Sequence, residues 1–324
     1  MYTSSQLLDK INTYINTLGY SRPPVGLYAP VEYVLGLGGK RIRPLLVLMS
    51  YNIYKEDVEC ALSAAAGIET YHNYTLLHDD LMDKADLRRG NLTVHKKWDD
   101  NTAILSGDTM LVLAYKLMCD SSPAHLKEVM DVFNETALQI GEGQQYDMEF
   151  EARTDVEVEE YLEMIRLKTS VLLAASLKIG AIVAGASTDD ANQLYDFGLQ
   201  LGLAFQLQDD YLDVYGDPAV FGKKVGGDIL CNKKTYMLIN ALQRANDAQR
   251  QELLMWINAQ DYEPAQKVAA VTALYDAIGI KQLCHEKIEE YFQAANESLD
   301  KVQVSEERKE VLRVFARSLM GRKV

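Results

Sequence analysis

Proline placement is the feature of this sequence that most constrains its fold. All seven prolines lie at positions 23, 24, 30, 44, 123, 218 and 264, so none falls between Pro123 and Pro218. Proline interrupts helices because it lacks an N–H and clashes with the preceding turn. Apolar residues recur at i, i+3, i+4 and i+7 through the long proline-free stretches, which is the helical period. We therefore expect long helices over about residues 57–82, 155–186 and 189–214.

Helix-start signals and composition agree with that reading. A capping box is predicted at residues 154–157, and Ser187 stands as a capping side chain before the third apolar run. Residues 61–67 and 172–186 are apolar nearly all round, which is typical of helices buried inside a bundle. Alternating strand patterns with Asn-Gly or Asp-Gly turns are missing from the sequence. The sequence predicts an all-α fold, a single large helical bundle of roughly ten to twelve helices.

Bulk properties limit the domain organisation and the partners. The 324 residues contain no linker-like tract, so we expect one domain over residues 1–324. The net charge of −14 argues against nucleic acid and anionic membrane surfaces. No run approaches 18 consecutive apolar residues and the first residues do not resemble a signal peptide, so we expect no membrane span and a cytoplasmic protein. The four cysteines are widely spaced and are predicted to be free thiols, buried or half-buried.

Two aspartate triplets share one spacing. Asp79, Asp80 and Asp83 recur as Asp209, Asp210 and Asp213, each an i, i+1, i+4 set. On a helix, carboxylates at i and i+4 lie on one face about 6 Å apart, and their repulsion costs stability unless a cation lies between them or water screens them. Hard oxygen ligands suit Mg²⁺, whereas zinc would need His or Cys at ligand spacing. Asp86 is expected to extend the first stripe by a further turn.

Acidic residues alone are weak evidence, since the chain has 47 of them and a solvated helix face is the simpler explanation. The acidic pairs at residues 99–100 and 189–190 lack an acid at i+4, and we interpret both as surface. The two triplets differ because each follows an apolar segment, over residues 74–78 and 203–208. Each triplet is therefore expected to end a buried helix, where acid lines the mouth of a cavity.

Basic residues cluster beside the acid in the sequence. Residues 38–44 form a glycine-hinged loop with three cations, and a pair of arginines follows the first triplet. A lysine at position 168 interrupts an apolar helix, where an unpaired charge is expensive. Further lysines follow the second triplet, of which Lys224 and Lys234 are interpreted as solvated. Arginine suits bidentate phosphate contacts and lysine acts as a point charge, so the pattern predicts sites for two diphosphates.

These motifs together resemble the trans-isoprenyl diphosphate synthases, the family of farnesyl and geranylgeranyl diphosphate synthases. The matching segments, in order, are GGKRIRP at 38–44, DDLMDKADLRRG at 79–90, GQQYD at 143–147, KTS at 168–170, FQLQDDYLDVYGD at 205–217, GKKVGGD at 222–228 and Lys233-Lys-Thr235. The resemblance covers nearly the whole chain. It implies about ten core helices around a central cavity, a homodimer, and isopentenyl diphosphate and allylic diphosphates as substrates.

The resemblance also implies roles for individual residues. Three Mg²⁺ ions would be held by Asp79, Asp83 and Asp209, supported by Asp80, Asp210 and Asp213. The allylic diphosphate would be held by Arg88, Lys168 and Lys223, with Lys233 nearby. Isopentenyl diphosphate would be held by Lys40, Arg43, His72 and Arg89, helped by Arg322. The reacting centre would be lined by Thr169 and Gln206.

The chemistry that the resemblance implies is ionisation of the allylic diphosphate, attack by the isopentenyl double bond, and loss of a proton to the departing pyrophosphate. His78 is interpreted as a structural residue or as one that supports the site without touching the substrate. Tyr74, with Tyr71 behind it, is expected to form the floor of the product cavity, which predicts a short C15 or C20 product. Thr75 departs from the doubled aromatic of animal-type farnesyl enzymes and leaves C20 open. A terpene cyclase of the same fold and a non-catalytic regulatory subunit are the alternative functions.

Overall fold

The computed structural model describes residues 1–217 and 225–321, and this part of the chain is mostly helical, with very little strand. The chain divides into two units, each assembled from three stretches of chain. The first unit comprises Met1–Asn134, Ala175–Tyr195 and Val302–Leu312. The second unit comprises Glu135–Ala174, Asp196–Lys301 and Arg313–Val324. The expectation of one domain stays a prediction, since this division does not test it.

The described residues contain sixteen α-helical segments, two of which are single four-residue turns, so the all-α prediction is confirmed. This is a finer division than the sequence suggested. The helices are α1 Ser4–Thr17, α2 Val25–Gly36, α3 Ile42–Asn52, α4 Leu62–Met82, α5 Val94–Lys97, α6 Asp100–Cys119, α7 Leu126–Ala152, α8 Val158–Ile165, α9 Val171–Ala184, α10 Thr188–Tyr215, α11 Gly227–Leu230, α12 Tyr236–Arg244, α13 Asp247–Asn258, α14 Pro264–Ile278, α15 Ile280–Asp300 and α16 Glu306–Met320. A 3₁₀ turn, Glu59–Ala61, precedes α4.

A two-residue hairpin follows α4. Strand β1, Leu87–Arg88, pairs antiparallel with β2, Asn91–Leu92. The two turn residues between them, Arg89 and Gly90, have φ of 53° and 75°. Two successive positive φ values define the tight turn that best matches strand twist, and asparagine or aspartate normally fills the first position. An arginine at that position hid the hairpin from the sequence analysis.

The core of the first unit is built around α4, which packs against α1, α2, α3 and α6. The prediction that residues 61–67 are buried is confirmed, since the four alanines of this stretch have no exposed surface. A Cβ on Gly67 would lie 3.0 Å from the Met118 side chain of α6. Small residues therefore let α4 and α6 approach closely. A second close approach is made by Gly180 of α9, where a Cβ would lie 2.2 Å from the carbonyl oxygen of Val47 in α3.

The core of the second unit joins the C-terminal half of α10 to the helices that follow it. α12 packs against α8, α14 and α15, and α11 packs against α14. Buried apolar side chains of α8, α10, α12 and α14 form one cluster, which includes Tyr161, Leu207, Met237 and Tyr275. This packing fixes the end of α10, where the second acidic triplet lies.

Helices α8 and α9 are joined by a single π-helical turn, Arg166–Ser170, so that Val158–Ala184 is one continuous helix. π-helical turns inside α-helices are rare and occur often at functional sites. This turn carries Lys168 and Thr169. Sequence periodicity could not predict it, because one inserted residue barely disturbs the pattern of a helix whose residues are mostly apolar and buried.

Helix boundaries differ from the predictions in two places. The helix expected from residue 57 begins at Leu62, after the 3₁₀ turn. The capping box predicted at residues 154–157 is wrong: the Glu160 carboxylate accepts a hydrogen bond from the Glu157 N–H at 2.9 Å, and α8 begins at Val158. The cap at Ser187 is confirmed, since its Oγ accepts from the Asp190 N–H at 3.1 Å.

Two burial predictions also need correction. Asp99 is an exposed helix cap, which agrees with the predicted surface position. Asp190 is instead buried, and it accepts a hydrogen bond from the Gln303 N–H at 2.8 Å. All four cysteines are free as predicted, but only Cys284 is buried. The other three are exposed. A short side chain next to an apolar stripe does not reveal from sequence which side of the stripe it occupies.

Two helices in the described part of the chain are long and apolar enough to cross a membrane by length and composition. They are α6, Asp100–Cys119, and the continuous helix Val158–Ala184. In the second, 83% of the most apolar window is buried inside the protein, and core helices of soluble proteins pass the same test. The expectation of no membrane span therefore stays a prediction.

Candidate active site

The first acidic triplet lies at the C-terminal end of α4. Asp79 and Asp80 occupy its last turn, and Asp83 caps the helix by donating its N–H to the Asp79 carbonyl at 2.8 Å. The C-terminal end of a helix carries partial negative charge, so each carboxylate there is unfavourable by about 0.3–1 kcal/mol. A bound cation would remove that penalty. Asp86 does not extend the stripe as predicted, because it lies beyond the helix and pairs with Lys96 at 2.9 Å.

Asp80 differs from its neighbours because it is buried. Its two carboxylate oxygens accept hydrogen bonds from Nε of Arg88 at 2.9 and 2.7 Å. Arg88 belongs to β1, so this pair anchors the hairpin to the end of α4. Asp79 is half-buried and Asp83 exposed, which leaves those two as the outward-facing carboxylates of the triplet.

The two glycines of the 38–44 loop make room for an arginine. Arg89 donates a short hydrogen bond to the Gly38 carbonyl, and a Cβ on Gly39 would lie 2.7 Å from the Arg89 guanidinium carbon. Gly38 and Gly39 both have positive φ, 74° and 123°, which glycine adopts without strain. The glycine pair therefore shapes a surface on which a guanidinium group rests.

Arg41 does not face outward with the other cations of this loop, contrary to the prediction of three presented cations. It is 7% exposed and forms a buried ion pair with Glu69 of α4 at 2.5 Å. It also donates to the Leu35 carbonyl at 2.5 Å. Asn73 completes the pair by donating to the Glu69 carboxylate at 2.9 Å. Arg41 thus fixes the loop to α4, with a left-handed backbone φ of 49°.

Arg43 and His72 form the inner part of the basic cluster. The Arg43 guanidinium lies 3.1 Å from Nε2 of His72. Burial and the surrounding arginines, Arg43 foremost, hold the pKa of His72 well below its usual range. His72 is therefore neutral and accepts from Arg43 at Nε2, which places its own proton on Nδ1. Burial lowers the pKa of Arg43 to about 10.

The charge balance of this cluster favours an anion. Lys40 is exposed beside it, and burial, opposed by Glu69 and reinforced by Arg41, lowers the pKa of Arg89. Glu69 is already engaged by Arg41. Within the part of the chain that the structure describes, the buried Nε of Arg43 has no hydrogen-bond acceptor. A buried donor without a partner needs a physical explanation, and a phosphate oxygen would supply one.

The second acidic triplet lies at the C-terminal end of α10, so the prediction that each triplet ends a buried helix is confirmed. Asp209 and Asp213 are half-buried, whereas Asp210 is 3% exposed. The Asp213 carboxylate accepts from the Asp228 N–H at 2.8 Å, and its carbonyl accepts from the Gly226 N–H at 2.5 Å. These bonds tie the start of α11 to the end of α10.

Asp210 begins a chain of hydrogen-bonded side chains. One of its oxygens accepts a short hydrogen bond from the hydroxyl of Tyr161, which is fully buried in α8. The other oxygen accepts from Nε2 of Gln206 at 3.0 Å. The Gln206 carbonyl in turn accepts from the hydroxyl of Thr169 at 3.1 Å. The predicted pair of Thr169 and Gln206 is thus brought together.

The π-helical turn positions Lys168. Its Nζ lies 2.5 Å from a carboxylate oxygen of Asp147 on α7, which provides the partner that an amine in an apolar helix requires. A Cβ on Gly143 would lie 2.4 Å from the Lys168 backbone nitrogen. A Cβ on Gly202 of α10 would lie 2.6 Å from the Ser170 Cα. Glycines on two helices therefore pack directly against the turn.

Lys233 compensates the acidic groups of the second unit. Burial alone would lower the pKa of Lys233, but Asp210 and Asp228 raise it above its usual value. Burial raises the pKa of Asp228 to about 7, opposed by Lys233 at 3.9 Å. Asp210 also has a raised pKa, first because it is buried. The balance of charge at this end of α10 is therefore negative, which favours a bound cation.

The carboxylates of the two triplets fit the way in which proteins usually bind magnesium, through few protein ligands. Among the described residues, no group of three His, Cys, Asp or Glu side chains converges on one point. Mg²⁺ is usually bound through one or two carboxylates, with water and phosphate oxygens completing the octahedron. The outward carboxylates Asp79, Asp83 and Asp209 match that pattern, and their oxygen-only chemistry does not suit zinc.

Aromatic rings line α4 one turn before the first triplet. Tyr74 is half-buried, and its ring centroid lies 5.5 Å from that of the buried Tyr71. Tyr71 contacts Phe133 of α7 edge to face at 5.2 Å. The Thr75 hydroxyl donates to the His72 carbonyl at 2.8 Å, so it is bound to its own helix. Tyr74 is therefore the partly accessible ring of this aromatic group, and the buried rings of Tyr71 and Phe133 lie behind it.

His78 packs against α6 rather than beside a reacting group. Its Nε2 lies 3.3 Å from the Ile104 carbonyl, and a Cβ on Gly107 would lie 2.2 Å from the same ring. Its ring also contacts Tyr74, with centroids 4.9 Å apart. This is the surrounding of a packing residue, in agreement with the structural role that we expected.

Some predicted residues lie elsewhere, and some site residues were missed. Lys223 and Arg322 lie outside the described residues. Lys234 is not simply solvated, since it donates to the Glu151 carbonyl at 2.8 Å. The sequence predicted no role for Glu69, Asp147, Tyr161 or Asp228. An acid in an otherwise apolar helix was the available signal for Glu69, whereas Tyr161 gave none, because tyrosine is common in buried helices.

Comparison with known proteins places this geometry in a family. The polyprenyl synthetase family model matches residues 24–275. The chain is 37% identical over 300 residues to a short chain isoprenyl diphosphate synthase of Methanothermobacter thermautotrophicus, covering 92% of this chain and 91% of that protein. It is 38% identical over 291 residues to a geranylfarnesyl diphosphate synthase of Aeropyrum pernix, covering 87% and 90%. The chain belongs to the polyprenyl synthetase family.

Solved structures agree. A crystal structure of geranylgeranyl pyrophosphate synthase superimposes with a TM-score of 0.94 at 45% identity, covering 100% of both chains. A geranylgeranyl pyrophosphate synthase from Corynebacterium glutamicum, complexed with isoprenyl diphosphate and magnesium, superimposes with a TM-score of 0.83 at 30% identity, covering 99% and 96%. Both superpositions cover nearly the whole of this chain.

Proposed function

We propose that this chain condenses isopentenyl diphosphate with allylic diphosphates and releases geranylgeranyl diphosphate (C20) as its main product. Membership of the family makes it a prenyltransferase, and the relatives named geranylgeranyl and geranylfarnesyl diphosphate synthase support a short-chain product. One observation carries the assignment of chemistry: within each unit, a half-buried cation lies beside the carboxylates at a helix end, Arg88 beside Asp80 in the first unit and Lys233 beside Asp210 in the second. A chain of net charge −14 needs such local cations, with metal ions, to bind anionic substrates.

Magnesium is proposed as the cofactor, three ions per active site, with Asp79, Asp83 and Asp209 as direct ligands. When bound, it would stabilise the negative charge that develops on the leaving diphosphate. Asp80 and Asp210 are proposed to act indirectly, because Arg88 and Tyr161 already engage their carboxylates. Asp213 is proposed to support the site through the start of α11.

The cations are proposed to divide between the two substrates. Arg43, Arg89 and Lys40, with neutral His72 as an acceptor for Arg43, bind isopentenyl diphosphate. Arg88, Lys168 and Lys233 bind the allylic diphosphate, and Lys223 and Arg322 are proposed to assist as the family resemblance implies. Each guanidinium is held in advance by a carbonyl, a carboxylate or an imidazole, so little ordering remains to be done at binding.

The reaction then follows from the charges of these residues. Cleavage of the allylic C–O bond gives an allylic cation and pyrophosphate, and the isopentenyl double bond attacks the cation. Carbonyl and hydroxyl oxygens of Gln206 and Thr169 present the negative ends of their dipoles to the developing positive charge. The departing pyrophosphate is proposed to take the proton that is lost.

Product length is proposed to be limited by Tyr74. It lies one turn before Asp79, and Tyr71 and Phe133 back it, so the ring cannot easily retreat from a growing tail. The strong similarity to a geranylgeranyl pyrophosphate synthase supports C20, and relatives that make C25 products set the upper alternative.

Chromatography of dephosphorylated products tests this proposal. The purified chain is incubated with Mg²⁺, isopentenyl diphosphate and, separately, dimethylallyl, geranyl or farnesyl diphosphate. We expect C20 from every primer, and longer products from Tyr74→Ala. Tyr291→Ala, which removes a half-buried tyrosine in α15, is the matched control and should leave product length unchanged. A C15 product from dimethylallyl diphosphate, or an unchanged product from Tyr74→Ala, would contradict the proposed length control.

A homodimer is proposed through the exposed face of α6. Ile104, Leu105 and Val112 on this helix are 44%, 59% and 67% exposed, an unusual density of apolar surface. Asp108 and Lys116 stand four residues either side of Val112. If two copies of α6 pair antiparallel about an axis at Val112, Asp108 of each copy faces Lys116 of the other.

Charge reversal tests that pairing. Asp108→Lys should shift the protein toward monomer in analytical ultracentrifugation, and the double variant Asp108→Lys/Lys116→Asp should restore the dimer. Asp131→Lys, an exposed charge reversal on α7, is the control and should leave the oligomer intact. A monomeric wild type, or a dimer insensitive to Asp108→Lys, would reject this interface.

A further inference from the structure

We propose that Tyr161 is a positioning residue that fixes the orientation of the Gln206 side-chain amide by acting through Asp210. The role rests on the proposed function, since it concerns the residues that face the allylic cation. Tyr161 lies in α8, outside every segment that carried the family resemblance in the sequence.

The geometry is a linear chain of three hydrogen bonds. Tyr161 has no exposed surface and donates its hydroxyl proton to one oxygen of Asp210. Nε2 of Gln206 donates to the other Asp210 oxygen at 3.0 Å. Thr169 donates its hydroxyl proton to Oε1 of Gln206 at 3.1 Å. All four side chains belong to the second unit, and they come from α8, the π-helical turn and α10.

Donor and acceptor chemistry gives this chain a direction. A carboxylate accepts only, so Gln206 must present its NH₂ group to Asp210. Its carbonyl must then point toward Thr169. A carbonyl oxygen at that position directs negative partial charge at a developing cation, whereas the inverted amide would direct an N–H group at it. The orientation of one amide therefore decides the sign of a nearby dipole.

Tyr161 maintains that direction by occupying the second oxygen of Asp210. A buried carboxylate gains most when both oxygens have donors. Without the tyrosine hydroxyl, Asp210 can rotate and draw Gln206 or another donor to its unsatisfied oxygen. Gln206 then loses its fixed distance to Thr169. The consequence falls on the chemical step, because none of these residues is assigned to isopentenyl diphosphate.

Steady-state kinetics of Tyr161→Phe tests the inference. Leaving a buried acceptor without its donor lowers kcat by about 5- to 150-fold, with KM for isopentenyl diphosphate unchanged within about twofold. Gln206→Leu should lower kcat similarly, and the double variant should be no slower than Gln206→Leu alone, since both changes break one chain. A kcat of Tyr161→Phe within twofold of wild type, or multiplicative effects in the double variant, would overturn the proposal.

The matched control is Tyr215→Phe. Tyr215 forms a second tyrosine–aspartate pair in the same unit, because its hydroxyl donates a hydrogen bond to Asp276 at 3.0 Å. This pair is not part of the hydrogen-bonded chain that leads to Gln206. Its kcat should stay within twofold of wild type. Equal losses in both variants would mean that tyrosine removal acts through packing, and would also overturn the proposal.

A second variant covers the case in which Tyr161→Phe does not fold. In Asp210→Asn, Tyr161 retains an acceptor oxygen, so the new NH₂ group faces Gln206 and inverts its amide. We expect a kcat loss in the same range, with KM for isopentenyl diphosphate unchanged within about twofold. An unchanged kcat, or a larger KM for isopentenyl diphosphate with kcat retained, would contradict the positioning role. Failure of the proposed function itself is distinguishable, because the wild-type protein would then form no prenyl product.

Discussion

The ion pair of Arg41 and Glu69 is the best-defined buried charge in the first unit, and breaking it has a predictable cost. Both side chains are at most 5% exposed, and their charged atoms are 2.5 Å apart. Glu69→Gln would leave the Arg41 guanidinium buried beside a neutral amide. Removing one partner of a buried pair typically costs about 3–5 kcal/mol, whereas replacing both with apolar residues of similar volume is often neutral.

The assay for this prediction is thermal unfolding of three variants followed by circular dichroism. For a chain of this size the cost of Glu69→Gln corresponds to a Tm roughly 4–7 °C below wild type. Arg41→Met should be similarly destabilised, and Arg41→Met/Glu69→Leu should recover most of the loss. If Glu69→Gln unfolds within 1 °C of wild type, or if the double variant is the least stable of the three, the pair does not fix the 38–44 loop.

Three further predictions follow from close contacts and charges. Gly143→Ala forces a Cβ against the Lys168 backbone, so it should lower the free energy of unfolding by about 1–3 kcal/mol and also lower kcat. Gly141→Ala on the same helix is the control, because its Cβ meets nothing within 4 Å, and it should raise the free energy of unfolding by about 0.5–1 kcal/mol. Chemical denaturation measures both changes in stability. The folded protein holds the pKa of His72 low, so the free energy of unfolding should fall as the pH drops below the pKa of about 6.5 that histidine has in the unfolded chain. This one group can contribute at most about 1.4 kcal/mol per pH unit. His72→Asn should remove that contribution, as measured by unfolding curves at pH 7.5 and 5.5. Asp80→Asn releases Arg88 and should raise KM for the allylic diphosphate more than KM for isopentenyl diphosphate, and equal KM values in variant and wild type would contradict that role.

Much of the fold was predictable because helical periodicity and proline spacing are local properties. The long helices over residues 62–82 and 188–215 follow from them, and so does the position of each aspartate triplet at a helix end. The i, i+4 spacing identified the outward carboxylates of both triplets. These features need no knowledge of which helices pack together.

What the sequence could not predict depends on packing between distant segments. Lys168 was recognised as needing a partner, but its partner Asp147 lies 21 positions away on another helix. Arg41 resembled its neighbours in the loop, and only the position of Glu69 on α4 explains why it turns inward. Tyr161 meets Asp210 across 49 positions. Such contacts arise from the tertiary arrangement, and no local pattern records them.

The most direct test of the central claim is Mg²⁺-dependent prenyl transfer by Asp79→Ala and Asp209→Ala, measured against wild type and against Asp100→Ala, an exposed acid in the first turn of α6. We expect C20 product from isopentenyl and farnesyl diphosphates with wild type and Asp100→Ala, and kcat at least about 100-fold lower in Asp79→Ala and in Asp209→Ala, with their folds intact. Retention of Mg²⁺-dependent turnover within about twofold of wild type by Asp79→Ala or Asp209→Ala would contradict the metal assignment.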